Sequence, residues 1–371
     1  MPEAIQSVPL WMMIAGFLLV LGPLVTLHEF GHYLVGRWFG VKAEVFSVGF
    51  GKELVGRTDK RGTCWRISAI PLGGYVQFKG DMSPASQPDP NLSAEELDGA
   101  FQTRPLWQKS LIVAAGPLTN LFIAVAIFAA FFMAYGKPFT PAVIEGFAEQ
   151  SPAQEAGLMI GDRITAVDGT EIEDFDALRR AILPYPGRTV SVTYEREGET
   201  ASLPMTIADL ELVDRFGNES RIGRIGVGSE SIVFEPIGPL SAVGEGFVQS
   251  FGIMRMMVTG IGQIITGERS VTELGGPIKI AKYSGEQLSL GPLPFIEFVA
   301  LISINLAFIN LLPIPALDGG HLAFYAAEAV RRKPASARSQ EWAYRTGVAF
   351  VLALMLFVTI IDIASLPIFG S

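Results

Sequence analysis

The sequence predicts a polytopic α-helical membrane protein with four transmembrane helices, a membrane-associated β-hairpin region and one soluble α+β domain. Of its 371 residues, 49% are hydrophobic and 18% are charged, below the roughly 25% charged that is usual for a soluble domain. Uncharged residues gather in four stretches, 4–27, 110–136, 298–317 and 346–361. The first three reach the roughly 20 residues that a helix needs to cross hydrocarbon, and the fourth is shorter.

The first stretch does not read as a removable signal peptide. It lacks a basic segment at its start and a small-residue cleavage site at its end, so we expect it to remain in the protein. The chain is predicted to contain eight segments. They are, in order, the first transmembrane helix (1–36), a cytoplasmic β region (37–109), the second transmembrane helix (110–136), a soluble domain (137–235), amphipathic interfacial helices (236–294), the third transmembrane helix (295–317), a cytoplasmic loop (318–345) and the fourth transmembrane helix (346–366).

The distribution of charge predicts the orientation in the bilayer. The region 37–109 carries ten Lys and Arg against eight Asp and Glu, whereas 137–240 carries nine against eighteen. The short loop 318–345 is also basic. Lys and Arg mark cytoplasmic loops, so we expect the acidic domain and both termini outside. The formal net charge of -9 argues against a nucleic-acid partner, and Cys64, the single cysteine, permits no internal disulfide.

Residues 241–266 are apolar enough to suggest a fifth span. Their apolar residues recur every three or four positions with polar residues between them, which is typical of a helix lying at the interface or against other helices. A fifth span would also move the basic loop 318–345 to the outside. We therefore predict four spans.

The soluble domain contains a specific sequence pattern. The run from Ser151 to Gly169 reads SPA, AGL, GD.I and VDG, with turn residues around a short alternating strand. A helix is predicted over 174–182 and a strand over 189–195. This segment resembles a PDZ domain, and a single copy is present, because residues 209–235 do not repeat the pattern.

A five-residue motif continues the first apolar stretch. His28 and His32 are four residues apart with Glu29 beside them, so both imidazoles project from one face of a helix. Two histidines, an open position for water and a carboxylate that takes the proton of that water suit a catalytic zinc ion. Ionisable residues at membrane depth are costly and usually functional. The plainer interpretation is a satisfied His–Glu pair at a helix end.

A third protein ligand is expected at the end of the third span. The metzincin extension is excluded, because Val35 and Trp38 occupy the positions that it requires. Asp318 and His321 remain as candidates, and the four-span topology brings them to the membrane side of the histidine pair. Pro313 and Pro315 break the helix before them, and broken backbone within a membrane is tolerated where it lines a cavity.

Several motifs together resemble the bacterial site-two intramembrane zinc metalloproteases of the regulator-of-sigma-E protease type. These motifs are HEFGH at 28–32, VGFG at 48–51, PLGGYV at 71–76, GPLTN at 116–120, GGPI at 275–278 and NLLPIPALDGGH at 310–321. The resemblance covers nearly the whole chain. It departs from the well-known enterobacterial members, which carry two PDZ domains.

The resemblance implies a function and a set of site residues. His28, His32 and Asp318 would bind Zn²⁺, and Glu29 would be the general acid and base. The residues implied to shape the substrate cleft are Asn310, Pro313, Pro315 and Asn120. Substrates would be single-span membrane proteins, such as anti-sigma factors or remnant signal peptides, cut within the inner membrane after an earlier external cut, in regulated intramembrane proteolysis and stress response.

A helical substrate hides its carbonyl groups in hydrogen bonds and must be unwound before attack. Residues 43–50 and 64–70 alternate enough to form a hairpin that dips toward the membrane. Its edge is expected to pair with the unwound substrate, with Gly49 and Gly51 permitting close backbone approach. An ordinary cytoplasmic hairpin is the alternative.

A second class of function remains open from the sequence. It is a membrane-anchored PDZ protein that binds exposed C-termini or unfolded tails, with a metal site that is not catalytic. Glu29 beside an open metal position favours the enzyme, because a structural zinc site needs no spare carboxylate. A transporter is disfavoured, since the chain has no internal repeat with paired half-helices. The acidic outer domain could recruit substrates or exclude bulky ones.

Overall fold

The computed structural model describes residues 8–80, 97–213, 219–229, 231–267, 271, 275–333 and 336–364. It divides into two compact units. One is formed by residues up to 130 together with those from 243 onward, and the other by residues 131–242. Each unit is described by itself.

The first unit is mainly helical. Among the described residues, four helices are long and apolar enough to cross a membrane, over Leu10–Trp38, Leu106–Tyr135, Pro292–Leu311 and Arg338–Ile363. This confirms the predicted fold class. The helices of this unit, two of which extend into the second, are α1 (Leu10–Trp38), α2 (Leu106–Tyr135), α5 (Pro239–Thr266), α6 (Pro277–Leu290), α7 (Pro292–Leu311), α8 (Asp318–Arg331) and α9 (Ala337–Ala364).

Helix α7 ends earlier than the predicted range 295–317. It stops at Leu311, and residues 312–317 form a turn before α8 begins at Asp318. Pro313 and Pro315 have no N–H to continue the helical hydrogen bonds, and Ala316 has a φ of 90°. The break returns the chain toward the end of α7.

The region between the first two spanning helices forms a folded-over sheet. Strand β1 covers Ala43–Thr58 and β2 covers Cys64–Phe78, so both are longer than the predicted hairpin strands. Residues 43–48 pair with 74–78 on one side, residues 45–48 pair with 64–67 on the other, and residues 64–68 also pair with 53–58. Gly49, Gly51 and Gly73 have φ values of 90°, 87° and 103°, which side chains disfavour. The strands bend at these glycines, so different parts of β1 and β2 pair with each other more than once within the same sheet.

The apolar side chains of this sheet remain partly outside the protein. Phe50, Leu54, Ile70 and Leu72 are 41%, 63%, 49% and 45% exposed. Several exposed apolar side chains close together on one sheet are unfavourable in water. This exposure is consistent with the membrane-associated β region that the sequence predicts.

The two amphipathic helices differ in their contacts. In α5, the Cα of Gly246 lies close enough to α2 that an added Cβ would be 2.8 Å from the carbonyl oxygen of Val125. In α6, an added Cβ on Gly285 would be 2.8 Å from the Cα of Met13 in α1. Small residues permit such close helix packing within a membrane.

The second unit is built on an antiparallel sheet. Its strands are β3 (Lys137–Phe139), β4 (Gly146–Phe147), β5 (Arg163–Val167), β6 (Thr170–Glu171), β7 (Thr189–Arg196), β8 (Glu199–Thr206), β9 (Ala208–Val213), β10 (Glu219–Arg224), β11 (Val227–Gly228) and β12 (Val233–Glu235). Four of them form a sheet in the order β6-β5-β7-β8. The helices α3 (Pro152–Glu155) and α4 (Phe175–Ile182) complete a PDZ-like fold.

Local sequence accounts for the elements of this unit. The Ser151 hydroxyl accepts a hydrogen bond from Gln154 N and caps α3, and Asp174 caps α4 through Ala177 N, as such residues commonly do. Alternating residues of β5 and β7 point into a core around Ile164 and Val192, which are fully buried. The helix and strand predicted near 174–182 and 189–195 are therefore present.

A buried ion pair fastens this sheet to the turn before it. Asp162 is 1% exposed and accepts hydrogen bonds from Arg196 Nε and Nη2, each at 2.7 Å, and from Met159 N at 2.7 Å. Burial raises the pKa of Asp162, but the Arg196 bonds outweigh it and hold this pKa below the usual carboxyl value. The resulting stabilisation is present above the usual pKa and is lost as the pH falls through the lowered one.

Replacing Arg196 with Met is expected to destabilise the second unit by clearly more than the loss of an exposed ion pair, because it leaves the buried Asp162 carboxylate without its cation. Hydrogen exchange of the β5 and β7 amides in the purified protein measures this change. Arg188→Met is the matched control: Arg188 pairs with Asp168 at 3.0 Å at an exposed site and should cost less than about 1 kcal/mol. Equal effects of both substitutions would contradict the prediction.

Candidate metal centre

Helix α1 carries the first three residues of the candidate site. His28 and His32 are 6% and 8% exposed, and their Nε2 atoms lie 3.2 Å apart. Glu29 belongs to the same group, in which one possible ligand atom from each residue lies within 4.8 Å of the others. Because residues i and i+4 share one face of a helix, the HEFGH spacing by itself brings the two imidazoles together.

Asp318 reaches the same point from the other end of the chain. Its Oδ2 atom lies 3.1 Å from His28 Nε2 and 3.6 Å from His32 Nε2. Asp318 opens α8, directly after the break in α7. An added Cβ on Gly319 would overlap the carbonyl oxygens of Leu311 and Leu312, so the glycine after Asp318 permits this tight return.

The three atoms fit a zinc ion. Ligands about 2.0–2.1 Å from zinc at tetrahedral angles lie roughly 3.3–3.4 Å from one another. The observed separations of 3.2, 3.1 and 3.6 Å bracket this value. Asp318 Oδ2 is also buried and faces the two imidazole nitrogens, and a buried carboxylate requires a cation or a hydrogen-bond donor at such a point. Two imidazole nitrogens and one carboxylate oxygen suit a three-ligand zinc site with an open fourth position.

The outer nitrogens of both imidazoles face α2. His32 Nδ1 lies 2.8 Å from the carbonyl oxygen of Ile112, and His28 Nδ1 lies 3.3 Å from the Asn120 amide. The Ser303 hydroxyl of α7 donates to the main-chain oxygen of Asn120 at 2.7 Å. The spanning helices α1, α2 and α7 are thus joined at the depth of the candidate ligands.

Glu29 is held by the β region. Its Oε2 atom accepts a hydrogen bond from the main-chain N–H of Val76 at 3.2 Å. Val76 belongs to the outer strand segment, residues 74–78, of the folded-over sheet. An edge of that sheet therefore borders the candidate site.

A cavity of about 280 Å³ opens beside these residues. Its polar lining side chains are those of His28, Glu29, His32, Asn310, Asp318 and His321. Burial lowers the pKa of His321, which favours the neutral imidazole. The cavity has room for a short extended segment of polypeptide beside the candidate ligands.

The remaining predicted site residues lie elsewhere. Asn120 is fully buried and contacts His28. Pro313 and Pro315 form the turn that returns Asp318 to the site, and Gly49 and Gly51 form the bend in β1. None of these five residues is among the described residues that line the cavity. An added Cβ on Gly49 would be 2.7 Å from the carbonyl oxygen of Ile70, so this glycine permits close approach within the sheet itself.

Three residues with roles at the site were given no role at the metal site from the sequence, although two of them belong to the motifs at 71–76 and 116–120. Val76 and Ile112 contribute main-chain atoms, which leave no signal in residue type. Gly116 does leave one, because glycine within an apolar span often marks close packing. An added Cβ at Gly116 would overlap His32 Nε2 and lie 2.7 Å from His28 Nε2, so only a residue without a side chain leaves room for the two ligand nitrogens.

A comparison with family models decides the identity. Residues 16–354 match the model described as peptidase family M50. The chain belongs to peptidase family M50. This M50 protein is a multi-pass membrane protein and a zinc metalloprotease, which confirms the predicted enzyme class and cofactor.

Similar proteins match almost end to end. A candidate zinc metalloprotease of Agrobacterium fabrum is 43% identical over 95% of this chain and 96% of its own length. One from Rhizobium meliloti is 42% identical over 94% of this chain and 95% of its own. Metalloprotease MmpA of Caulobacter vibrioides is 33% identical over 96% of each. A PDZ domain of an SdrC-like protein from Listeria monocytogenes aligns with a TM-score of 0.20 and 19% identity, over 25% of this chain and 90% of that one.

Replacing Gly116 with Ala is expected to reduce zinc content well below that of the wild type, because the added methyl group occupies the space of the two histidine nitrogens. The usual effect of Gly→Ala within a helix is a stabilisation of up to about 1 kcal/mol. Metal analysis of the purified protein is the measurement. Gly252→Ala is the control, because an added Cβ there meets nothing within 4 Å. Full zinc content in the Gly116 variant would contradict the prediction.

Proposed function

We propose that this M50 protein is an intramembrane endopeptidase of the regulator-of-sigma-E protease type. Its substrates are single-span membrane proteins that have already lost an outer domain, and cleavage releases a cytoplasmic fragment. The observation that carries this proposal is that the buried His28 and His32, with Glu29, lie on a helix long and apolar enough to span a membrane and meet Asp318 from α8. Ionisable side chains on a membrane-spanning helix are energetically costly and are usually functional.

Each residue of the site has a proposed role in peptide-bond hydrolysis. His28, His32 and Asp318 would hold zinc, which when bound polarises a water molecule and the scissile carbonyl group. Glu29 is the proton carrier: it accepts the proton of the attacking water and donates it to the leaving amine. Val76 N–H already engages Glu29 Oε2, so we assign Oε1 to proton transfer. His321 and Asn310 are the cavity side chains left to donate hydrogen bonds to the reacting peptide.

The substrate is proposed to bind in extended form. Residues 312–317 leave helical geometry beside the cavity, and Asn310 lines it. The edge of residues 74–78 borders Glu29 through Val76, and an exposed strand edge can bind an extended peptide as an additional strand. This assignment places the pairing edge at residues 74–78, which pair with residues 43–48, whereas the sequence pointed to Gly49 and Gly51.

The orientation follows from the charges in the loops. The basic residues of 37–109 and of 318–345 favour the cytoplasmic side of the bacterial inner membrane. The candidate ligands lie in the last three turns of α1 and at the start of α8, next to these regions. We therefore assign the active site to the cytoplasmic half of the bilayer and the PDZ-like domain to the periplasm.

Replacing Glu29 with Gln is expected to abolish cleavage and preserve zinc binding, because the amide keeps the size of the side chain and cannot carry the proton. The loss should be at least about 10²–10⁴-fold. The measurement is cleavage of a tagged single-span reporter, without its outer domain, by purified protein in detergent, with the metal content of each variant.

The control for that experiment is Glu286→Gln, since Glu286 pairs with Lys282 within α6. It should cleave at the wild-type rate. Equal cleavage by the wild type and Glu29→Gln would overturn the mechanism. Zinc in the wild type without cleavage of several such reporters would overturn the proposed substrate class.

We propose that the PDZ-like domain binds the outer tail of the substrate. A cavity of about 340 Å³ lies between α4 and the segment 222–227. Its lining is mainly apolar and includes Phe175, Leu178, Ile225 and Val227. An apolar groove between a helix and a strand suits an extended peptide or an unfolded tail.

Replacing Phe175 with Glu is expected to slow cleavage of a reporter with a long outer tail, because the charge disfavours an apolar ligand in the groove. Cleavage of a reporter without a tail should stay unchanged. Arg180→Glu is the matched control, because Arg180 lies on the same helix, is exposed and does not line the groove. The rates of cleavage of both reporters are the measurement, and an equal effect on the two would exclude recruitment by this groove.

A further inference from the structure

Asn120 lies next to a candidate metal ligand and away from the substrate cavity. It is fully buried in α2, its amide nitrogen Nδ2 lies 3.3 Å from His28 Nδ1, and its Oδ1 is buried without a hydrogen-bond partner. Its main-chain oxygen accepts the Ser303 hydroxyl hydrogen bond, which holds this turn of α2 against α7. The side chain is therefore fixed toward His28 by the packing of two helices.

The tautomer of His28 decides whether Asn120 must donate or accept a hydrogen bond. His28 Nε2 faces Asp318 Oδ2 at 3.1 Å and His32 Nε2 at 3.2 Å. A nitrogen that binds zinc presents its lone pair, so the proton of the neutral ring must reside on Nδ1. Nδ1 is then a donor and needs an acceptor. The oxygen and nitrogen of an Asn amide occupy interchangeable positions, so Asn120 can turn its carbonyl oxygen toward this N–H.

His32 has the equivalent arrangement. Its Nδ1 lies 2.8 Å from the carbonyl oxygen of Ile112, an acceptor that needs no particular side chain. Ile112 and Asn120 are eight residues apart on α2, which is about two helical turns and places them on one face. Helix α2 therefore contacts the outer nitrogen of both imidazoles.

We propose that Asn120 is a positioning residue for zinc, which sets the tautomer and orientation of His28 through an Nδ1–H hydrogen bond, and that it does not contact the substrate. Ligating histidines commonly donate their second nitrogen to such an acceptor, and loss of the acceptor weakens metal binding. The proposal refines the zinc site of this M50 protein and is independent of which substrate is cleaved.

The test measures zinc affinity without substrate. Asn120→Leu keeps the approximate size of the side chain and removes the acceptor, and competition with a chelator should show about 10- to 100-fold weaker zinc binding. Asn120→Asp keeps an acceptor oxygen and should bind zinc within about threefold of the wild type. Cobalt(II) in place of zinc should give a wild-type absorption spectrum in the Asp variant and a shifted one in the Leu variant.

Ser250→Ala is the matched control, because it removes a buried side-chain hydrogen bond within α5 at a residue that does not line the cavity beside the candidate ligands. It should bind zinc as the wild type does. Wild-type zinc affinity in Asn120→Leu, or equal losses in the Leu and Asp variants, would overturn the proposal. If Asn120→Leu does not fold, Asn120→Ser replaces it, since its shorter side chain cannot span the contact. Because no cleavage is measured, failure here is distinguishable from failure of the proposed peptidase activity.

Discussion

The organisation of this protein depends on one constraint: four ionisable side chains, two of them buried histidines, must meet beside helices that are apolar enough to span a membrane. His28, Glu29 and His32 lie on α1, and Asp318 meets them from the start of α8. Such groups are costly at this depth unless they have partners. Partners come from two neighbouring elements, Ile112 and Asn120 on α2 and Val76 on β2, and the ligand atoms themselves would hold zinc.

This constraint explains the irregular parts of the first unit. A continuous α7 would carry Asp318 past the histidines. Instead the helix ends at Leu311, and the chain turns back through the Pro-x-Pro segment to Asp318. Glycine is required where backbones or rings approach most closely, at Gly116 against the imidazoles and at Gly319 against the end of α7. The folded-over sheet likewise brings a main-chain N–H to Glu29, which a simple hairpin of residues 43–50 and 64–70 does not provide.

Sequence reasoning succeeded where residue type and local spacing determine the structure. The fold class, the zinc cofactor and the metalloprotease class were predicted correctly from four apolar stretches, the HEFGH spacing and the resemblance of motifs in order along the chain. It was less informative where long-range geometry decides. The lengths of β1 and β2, the end of α7 at Leu311 and the donor Val76 all depend on contacts between distant segments. Asn120 illustrates the difference, because the resemblance assigned it to the cleft and the structure puts its amide against His28.

The sequence by itself determined the local elements: a helix that presents two histidines and a carboxylate on adjoining positions, a proline-broken segment before an aspartate, and an acidic α+β domain between apolar spans. These follow from the period of the helix and the chemistry of proline and glycine. The tertiary structure alone decided which atoms meet. Asp318 and His28 are 290 positions apart, and a separation of 3.1 Å between their ligand atoms arises only when several helices pack together. Zinc coordination demands such distances to within a few tenths of an ångström, and local sequence pattern carries no information at that scale.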